Sequence, residues 1–282
     1  MYITLTINGV EFVFRYCPAG TFKMGSPENE EGRDSDETLH EVTITRGYWI
    51  LVTPVTQKMY EAVTGKNPSA FSATGEYAKE VAGLDTSDFP VEMVSWYDAN
   101  AFCKVLNEKI VPEWFGNLAD ANALGEALNE LNVVPEELEF RLPTEAEWER
   151  ACRAGTETPF PWGSTLNGGE ANCNGKLPYG GANPGPYLGR PSAVGAYGAN
   201  ALGLIDMCGN VWEWCADRYR EAYDTASSID PTGPTTGDER VMRGPGWCSP
   251  ARNCRAAKRC NEDPKSRYRY SGFRVVLANK LS

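Results

Sequence analysis

The 282-residue sequence predicts an α+β fold that is rich in loops, with a few short strands and about three to five helices. Three observations predict it. Glycine (28 residues) and proline (19) recur along the whole chain, so regular elements are short. Near the amino terminus apolar residues alternate, the period of a half-buried strand, whereas between residues 54 and 154 they recur three and four apart, the period of a helix. With 41% hydrophobic residues and eight tryptophans, the chain also has the material for a sizeable core.

Taken in order, ITLTING, EFVFRY and HEVTITRGYWIL read as strands. The acidic stretch PENEEGRDSDE between them reads as a solvated loop. PVTQKMYEAVTG is a helix from Pro54 to Gly65, and VSWYDANAFCKVLNEK places Trp96, Ala99, Phe102, Cys103 and Leu106 on one helical face. Residues 111–138, with prolines at Pro112 and Pro135, read as a helical insertion. In RLPTEAEWERACRAG, Thr144 and Glu147 have the spacing of a capping box and Gly155 ends the helix. Beyond residue 155 the chain turns to glycine, proline and tryptophan-rich loops, and no period repeats.

The inventory excludes several chemistries. The nine cysteines are odd in number and lack any CxxC pair, so neither a disulfide framework nor a structural zinc site is expected; Cys103 and Cys152 read as packed apolar residues. His40, the only histidine, sits in an alternating strand pattern, and a His-rich metal centre is excluded by count. No apolar run reaches the roughly 20 residues that span a bilayer. The first residues also lack a secretory signal, so a soluble chain is expected, and a lipid anchor, if there is one, lies outside this sequence.

Charge is unevenly placed. From Arg240 to Arg274 there are ten basic residues against two acidic ones, +8, while the remainder carries 17 basic and 36 acidic groups, −19. A basic segment on a chain of net charge −11 suits an anionic or acidic partner, and the overall charge argues against nucleic acid. Arg243, Arg255, Arg259 and Arg274 read as buried, paired scaffolding.

The motifs FRLPTEAEWERACRAG, PFPWG, GLIDMCGNVWEWCADRY, RVMRGPGW and SGFRVV, in this order and spacing, resemble the formylglycine-generating-enzyme family, or sulfatase-modifying-factor domain, from about residue 12 to 277. The resemblance implies one domain over 1–282 with the C-type-lectin-like fold of that family. Its enzymes oxidise a substrate cysteine with copper held by two cysteines. Here Cys248 and Cys254 are six apart rather than five and fall outside the active positions, so no copper is expected and no residue is assigned catalysis. The family's iron-dependent sulfoxide synthases need a histidine triad that is absent here. A copper-dependent oxidase using Cys248 and Cys254 is the alternative, and a sugar-binding or assembly module a third reading. The resemblance also implies a structural calcium ion held by Asp206, Glu213 and the carbonyls of Gly209 and Val211.

Residues 240–276 resemble more closely the variable region of proteins diversified by retroelements, of the treponemal type. In such proteins adenine-directed replacement changes some codons and leaves a framework fixed. The framework here is Trp247, Ala251, Cys254, Arg255, Ala257, Arg259, Pro264, Gly272, Phe273 and Arg274. The candidate variable, ligand-binding positions are Cys248, Ser249, Pro250, Arg252, Asn253, Cys260, Asn261, Asp263, Ser266, Tyr268, Arg269 and Tyr270. All twelve are residues that an NNC codon encodes. Tyrosine, arginine and asparagine are the chemistry of binding surfaces. The resemblance implies a non-catalytic receptor or adhesin at the cell surface, binding a protein or other macromolecule.

Overall fold

The structure, a computed structural model, describes residues 1–116, 137–226 and 228–281. Among these, eleven strands and three helices follow in order: β1 (Tyr2–Ile7), β2 (Val10–Cys17), β3 (Gly20–Met24), β4 (His40–Ile44), β5 (Tyr48–Leu51), α1 (Gln57–Thr64), α2 (Trp96–Gly116), β6 (Leu138–Arg141), α3 (Glu145–Arg153), β7 (Trp212–Arg218), β8 (Arg240–Arg243), β9 (Cys260–Glu262), β10 (Ser271–Phe273) and β11 (Val276–Asn279). The loop-rich α+β fold is the one the sequence predicts.

β1 and β2 form a hairpin because Asn8 and Gly9 both take positive φ (49° and 79°), which a two-residue turn of this hand requires. Their inward residues, Ile3, Leu5, Phe12 and Phe14, are buried. The sheet continues in the order β1-β2-β5-β11-β6, so the near-terminal strand β11 lies inside it, between β6 and the central β5, all four of whose residues are buried. A second sheet, β10-β7-β8-β9, draws three of its strands from the last 43 residues. It includes the parallel pair β10–β7.

The helices start where their caps allow. Thr56 accepts from the Met59 amide, so α1 begins at Gln57 rather than Pro54, and Gly65 closes it at φ 74°. Thr144 and Glu147 make the expected reciprocal capping box on α3, but Ala154, not Gly155, takes the left-handed closing position. α2 runs past Pro112 to Gly116, so the segment read as an insertion begins as its continuation; residues 117–136 lie outside the described residues.

Two cores result. One packs Phe102 and Leu106 of α2 against Phe12, Phe14, Trp49, Phe140 and Phe273. The other surrounds Trp148 of α3 with Val42, Ile50, Met207, Cys215, Val241 and Val276. Cys103 and Cys152 pack as apolar residues, one in each core. His40 opens β4, its ring 4.6 Å from that of Tyr223.

Candidate ligand-binding surface

Four buried arginines fix the carboxy-terminal segment. Arg243, on β8, reaches Glu145 (3.3 Å) and Glu149 on α3 and the carbonyls of Ala256 and Ala257. Arg259 holds the same Glu145 at 2.7 and 3.0 Å. Burial alone would raise the Glu145 pKa, but the two guanidinium groups overcome it and hold the carboxylate below its ordinary range. Arg274 grips Glu213 with two bonds of 2.9 and 3.0 Å and donates to the carbonyls of Leu51, Val52 and Ile205. Arg255 pairs with Glu37 and Glu30.

Most of the acidic loop is exposed, as a solvated loop should be, but that last pairing corrects the reading at its carboxy-terminal end. Glu37 is 0% exposed and Asp36 8%, because the end of the loop folds onto Arg255, which pairs with the Glu37 carboxylate, and onto Arg259, which donates to the Asp36 carbonyl and lies 4.0 Å from its carboxylate. Burial raises the Glu37 pKa, but the bonds from Arg255 reverse this and the carboxyl stays below its usual range.

Above this framework Trp247 is nearly buried, flanked edge-on by Phe71 (5.6 Å between centroids) and stacked by Tyr187 (6.5 Å). Its Nε1 donates to the Arg269 carbonyl. Gly246 is required before it, since a Cβ there would lie 2.8 Å from the Cβ of Tyr270. Nine of the ten framework positions are buried, Pro264 being half-buried. Of the twelve candidate variable positions only Ser249 is buried; Arg252, Asp263 and Arg269 are exposed and the others half-exposed.

The structure brings several of these together. Arg269 lies over the rings of Tyr77 (4.9 Å) and Trp247 (5.7 Å) and donates to the Tyr77 hydroxyl. Cys248 and Tyr270 pack on the same aromatic cluster, and Tyr270 stacks on Tyr268 at 5.0 Å. Asn261 donates to Glu239, Ser266 to Glu262, and Asp263 caps the amide of Lys265. Cys260 packs at the edge of the first core. Pro250 and Asn253 shape the short 3-10 turn Ala251–Cys254, while Arg252 lies apart, against Gly32 of the acidic loop.

Sequence reasoning missed the floor and the flank of this surface. Phe71, Tyr77 and Tyr187 lie far from it in the chain. The loop that follows Cys173 is tied to the variable segment by Asn174 N to Ser249 O (2.8 Å) and Ala251 N to Leu177 O (3.0 Å), and it exposes Leu177 and Leu188. Beneath the floor is Glu92, fully buried, with Oε1 accepting from the Phe71 amide and Oε2 unpartnered; burial pushes its pKa up to about 7. The only signal for these residues is spatial.

The cysteines and the implied calcium ligands fare differently. Burial raises the thiol pKa of both Cys248 and Cys254, and Cys254, 0% exposed, has the thiol of Cys173 beside it. Thiolate, the form that binds soft metals, is thus disfavoured at both. Of the calcium set, Glu213 does not fit. Both its oxygens are taken by Arg274 and one also by the Trp148 indole at 2.8 Å, which places a cation where calcium would need a free carboxylate. Asp206 accepts from Asn210 and burial pushes its pKa up to about 7, and the Gly209 carbonyl accepts from Val211.

Comparison with known proteins agrees with this architecture. The family described as "Sulfatase-modifying factor enzyme 1-like domain" matches residues 13–279. The chain is 31% identical to the formylglycine-generating enzyme of Thermomonospora curvata, covering 92% of this chain and 91% of that one. It is 27% identical to the inactive C-alpha-formylglycine-generating enzyme 2 of Bos taurus (96% and 88%). Among solved structures it superposes on Treponema denticola variable protein 1 with a TM-score of 0.73 at 28% identity, over 98% and 99% of the two chains. With the fold, the buried arginine framework and the match over residues 13–279 in agreement, the chain belongs to the formylglycine-generating-enzyme, or sulfatase-modifying-factor, family and has its C-type-lectin-like fold.

Proposed function

We propose that the protein is a non-catalytic, ligand-binding member of this family. Its carboxy-terminal segment displays a diversified surface on a rigid scaffold, and it works at the cell surface against a protein or other macromolecular ligand. One observation carries this reading: framework positions are buried and paired, while eleven of the twelve candidate variable positions reach solvent. A surface whose supports do not depend on its own side chains tolerates their replacement, and its rigidity lowers the ordering cost of binding. The chemistry supports recognition. Neither Arg269 nor Arg252 is held in an ion pair among the described residues, and Arg269 lies over the rings of Tyr77 and Trp247. Likeness to a variable protein and to an inactive relative supports the same reading.

A library randomised at the twelve positions tests it. Most members should unfold cooperatively near the wild-type midpoint, and selection against an arbitrary immobilised protein should yield binders. A library in which most members fail to fold would contradict the reading. The second reading, a copper-dependent oxidase using Cys248 and Cys254, is favoured by the likeness to active formylglycine-generating enzymes and opposed by the raised thiol pKa values at both positions.

A further inference from the structure

Two thiols meet in the second core, away from the display surface. Cys152 lies on α3, and Cys208 on the turn that leads into β7, 56 residues along the chain. Their Sγ atoms are 3.6 Å apart, and the side chains are 0% and 2% exposed. Their other polar contact, from Cys152 Sγ to the Met207 carbonyl at 3.9 Å, is weak. Neither sulfur reaches the ligand-binding surface or pairs with a metal-ligating histidine.

We propose that Cys152 and Cys208 form a disulfide when the chain folds in an oxidising compartment. The sulfurs must close from 3.6 Å to about 2.05 Å, a shift that side-chain rotation on the two residues can share. One cysteine thiolate attacks a sulfur of a small disulfide such as oxidised glutathione, breaking its S–S bond and releasing one glutathione thiolate. The second cysteine thiolate attacks the mixed disulfide, forms the Cys152–Cys208 bond and releases the other glutathione. The two cysteine protons end on the two glutathione thiols, and the two electrons reduce the glutathione disulfide.

The cross-link acts on the scaffold. α3 carries Glu145 and Glu149, which hold Arg243, and the turn at Cys208 leads to Glu213, which holds Arg274. Joining them braces the supports of the carboxy-terminal segment. Burial also sets the timing. Contact with Cys152, together with desolvation, raises the Cys208 pKa, so Cys208 presents little thiolate in the folded, reduced protein, and both sulfurs are buried away from an outside disulfide, so exchange belongs to the folding chain.

The full chain, reduced and denatured, is refolded in a glutathione redox buffer and, separately, in excess reductant, then alkylated, digested without reduction and read by mass spectrometry. The expected result is a peptide pair joined through Cys152 and Cys208 in the first sample alone, with Tm about 10 °C above the reduced sample. Cys208→Ser should then show the same Tm in both buffers. Two alkylated cysteines after oxidative refolding, or either cysteine joined instead to Cys254, which lies in the same core and acts on Cys208, overturns the proposal; because reduced wild-type protein serves as its own comparison, poor folding of the variant does not obscure the result.

Discussion

Arg255 donates to both carboxylate oxygens of Glu37, at 2.6 and 2.7 Å, across 218 residues of sequence, and neither residue is more than 1% exposed. This pair anchors the carboxy-terminal segment to the acidic loop. Neither member is stable alone in that setting, because a buried charge without its partner loses its solvation and regains nothing.

Glu37→Gln should therefore destabilise the protein by about 3–5 kcal/mol, read from urea denaturation. Lys258→Ala, which breaks the more exposed pair with Asp34, should change stability by less than about 1 kcal/mol. Equal effects would mean that Arg255 does not anchor the segment.

The display surface should be thermodynamically quiet. Arg252→Ala, Asp263→Ala and Arg269→Ala remove exposed side chains and should each shift stability by no more than about 0.5–1 kcal/mol. Between these positions Ala251 and Cys254 are 0% exposed, and Ala251→Leu or Cys254→Leu should cost about 1–3 kcal/mol by overpacking.

Stability should peak in mildly acidic solution. Burial raises Glu92 to about 7; burial and then the charge of Glu145 raise Asp217 to about 8. Unfolded carboxyls lose their protons near pH 4, so from there to pH 7–8 the folded chain holds more protons, and its stability falls as pH rises through that window. Glu37, Glu145 and Glu147 are held below their ordinary values, and their contribution disappears as pH falls below about 4.5. Glu92→Gln keeps an oxygen for the Phe71 amide, so it should be near neutral at pH 5 and stabilising by up to about 3 kcal/mol at pH 8. A thermal-melt series across pH 4 to 9 checks both the maximum and the widening gap.

Copper should find no strong site at Cys248 and Cys254. Reduced protein titrated with Cu(I) against a competing chelator should take up no stoichiometric metal through Cys248 and Cys254, since desolvation raises both thiols. Uptake lost in Cys248→Ser would favour the oxidase reading.

Local signals in the sequence were the readable ones. Thr144 and Glu147 stand three apart and cap α3, and Asn8-Gly9 turns the first hairpin, because both devices close within a few residues. The burial of Arg243, Arg255, Arg259 and Arg274 was also expected from the sequence. Their partners were not. Glu37, at the end of a loop that is otherwise largely exposed, looks solvated until Arg255 is folded onto it, and Glu213 looks free for calcium until Arg274, 61 residues on, takes its carboxylate. Tyr77 and Phe71 join the surface only through three-dimensional packing under Trp247 and Arg269.

The most direct test of the display surface is to sequence the gene with its flanking DNA. The account predicts a near-identical copy of the segment from Trp247 to Val276 beside a reverse-transcriptase gene, differing from it only at adenines in the codons of the twelve surface positions. Absence of such a copy, with an unvarying segment across natural isolates, would contradict diversification and leave a fixed member of the family.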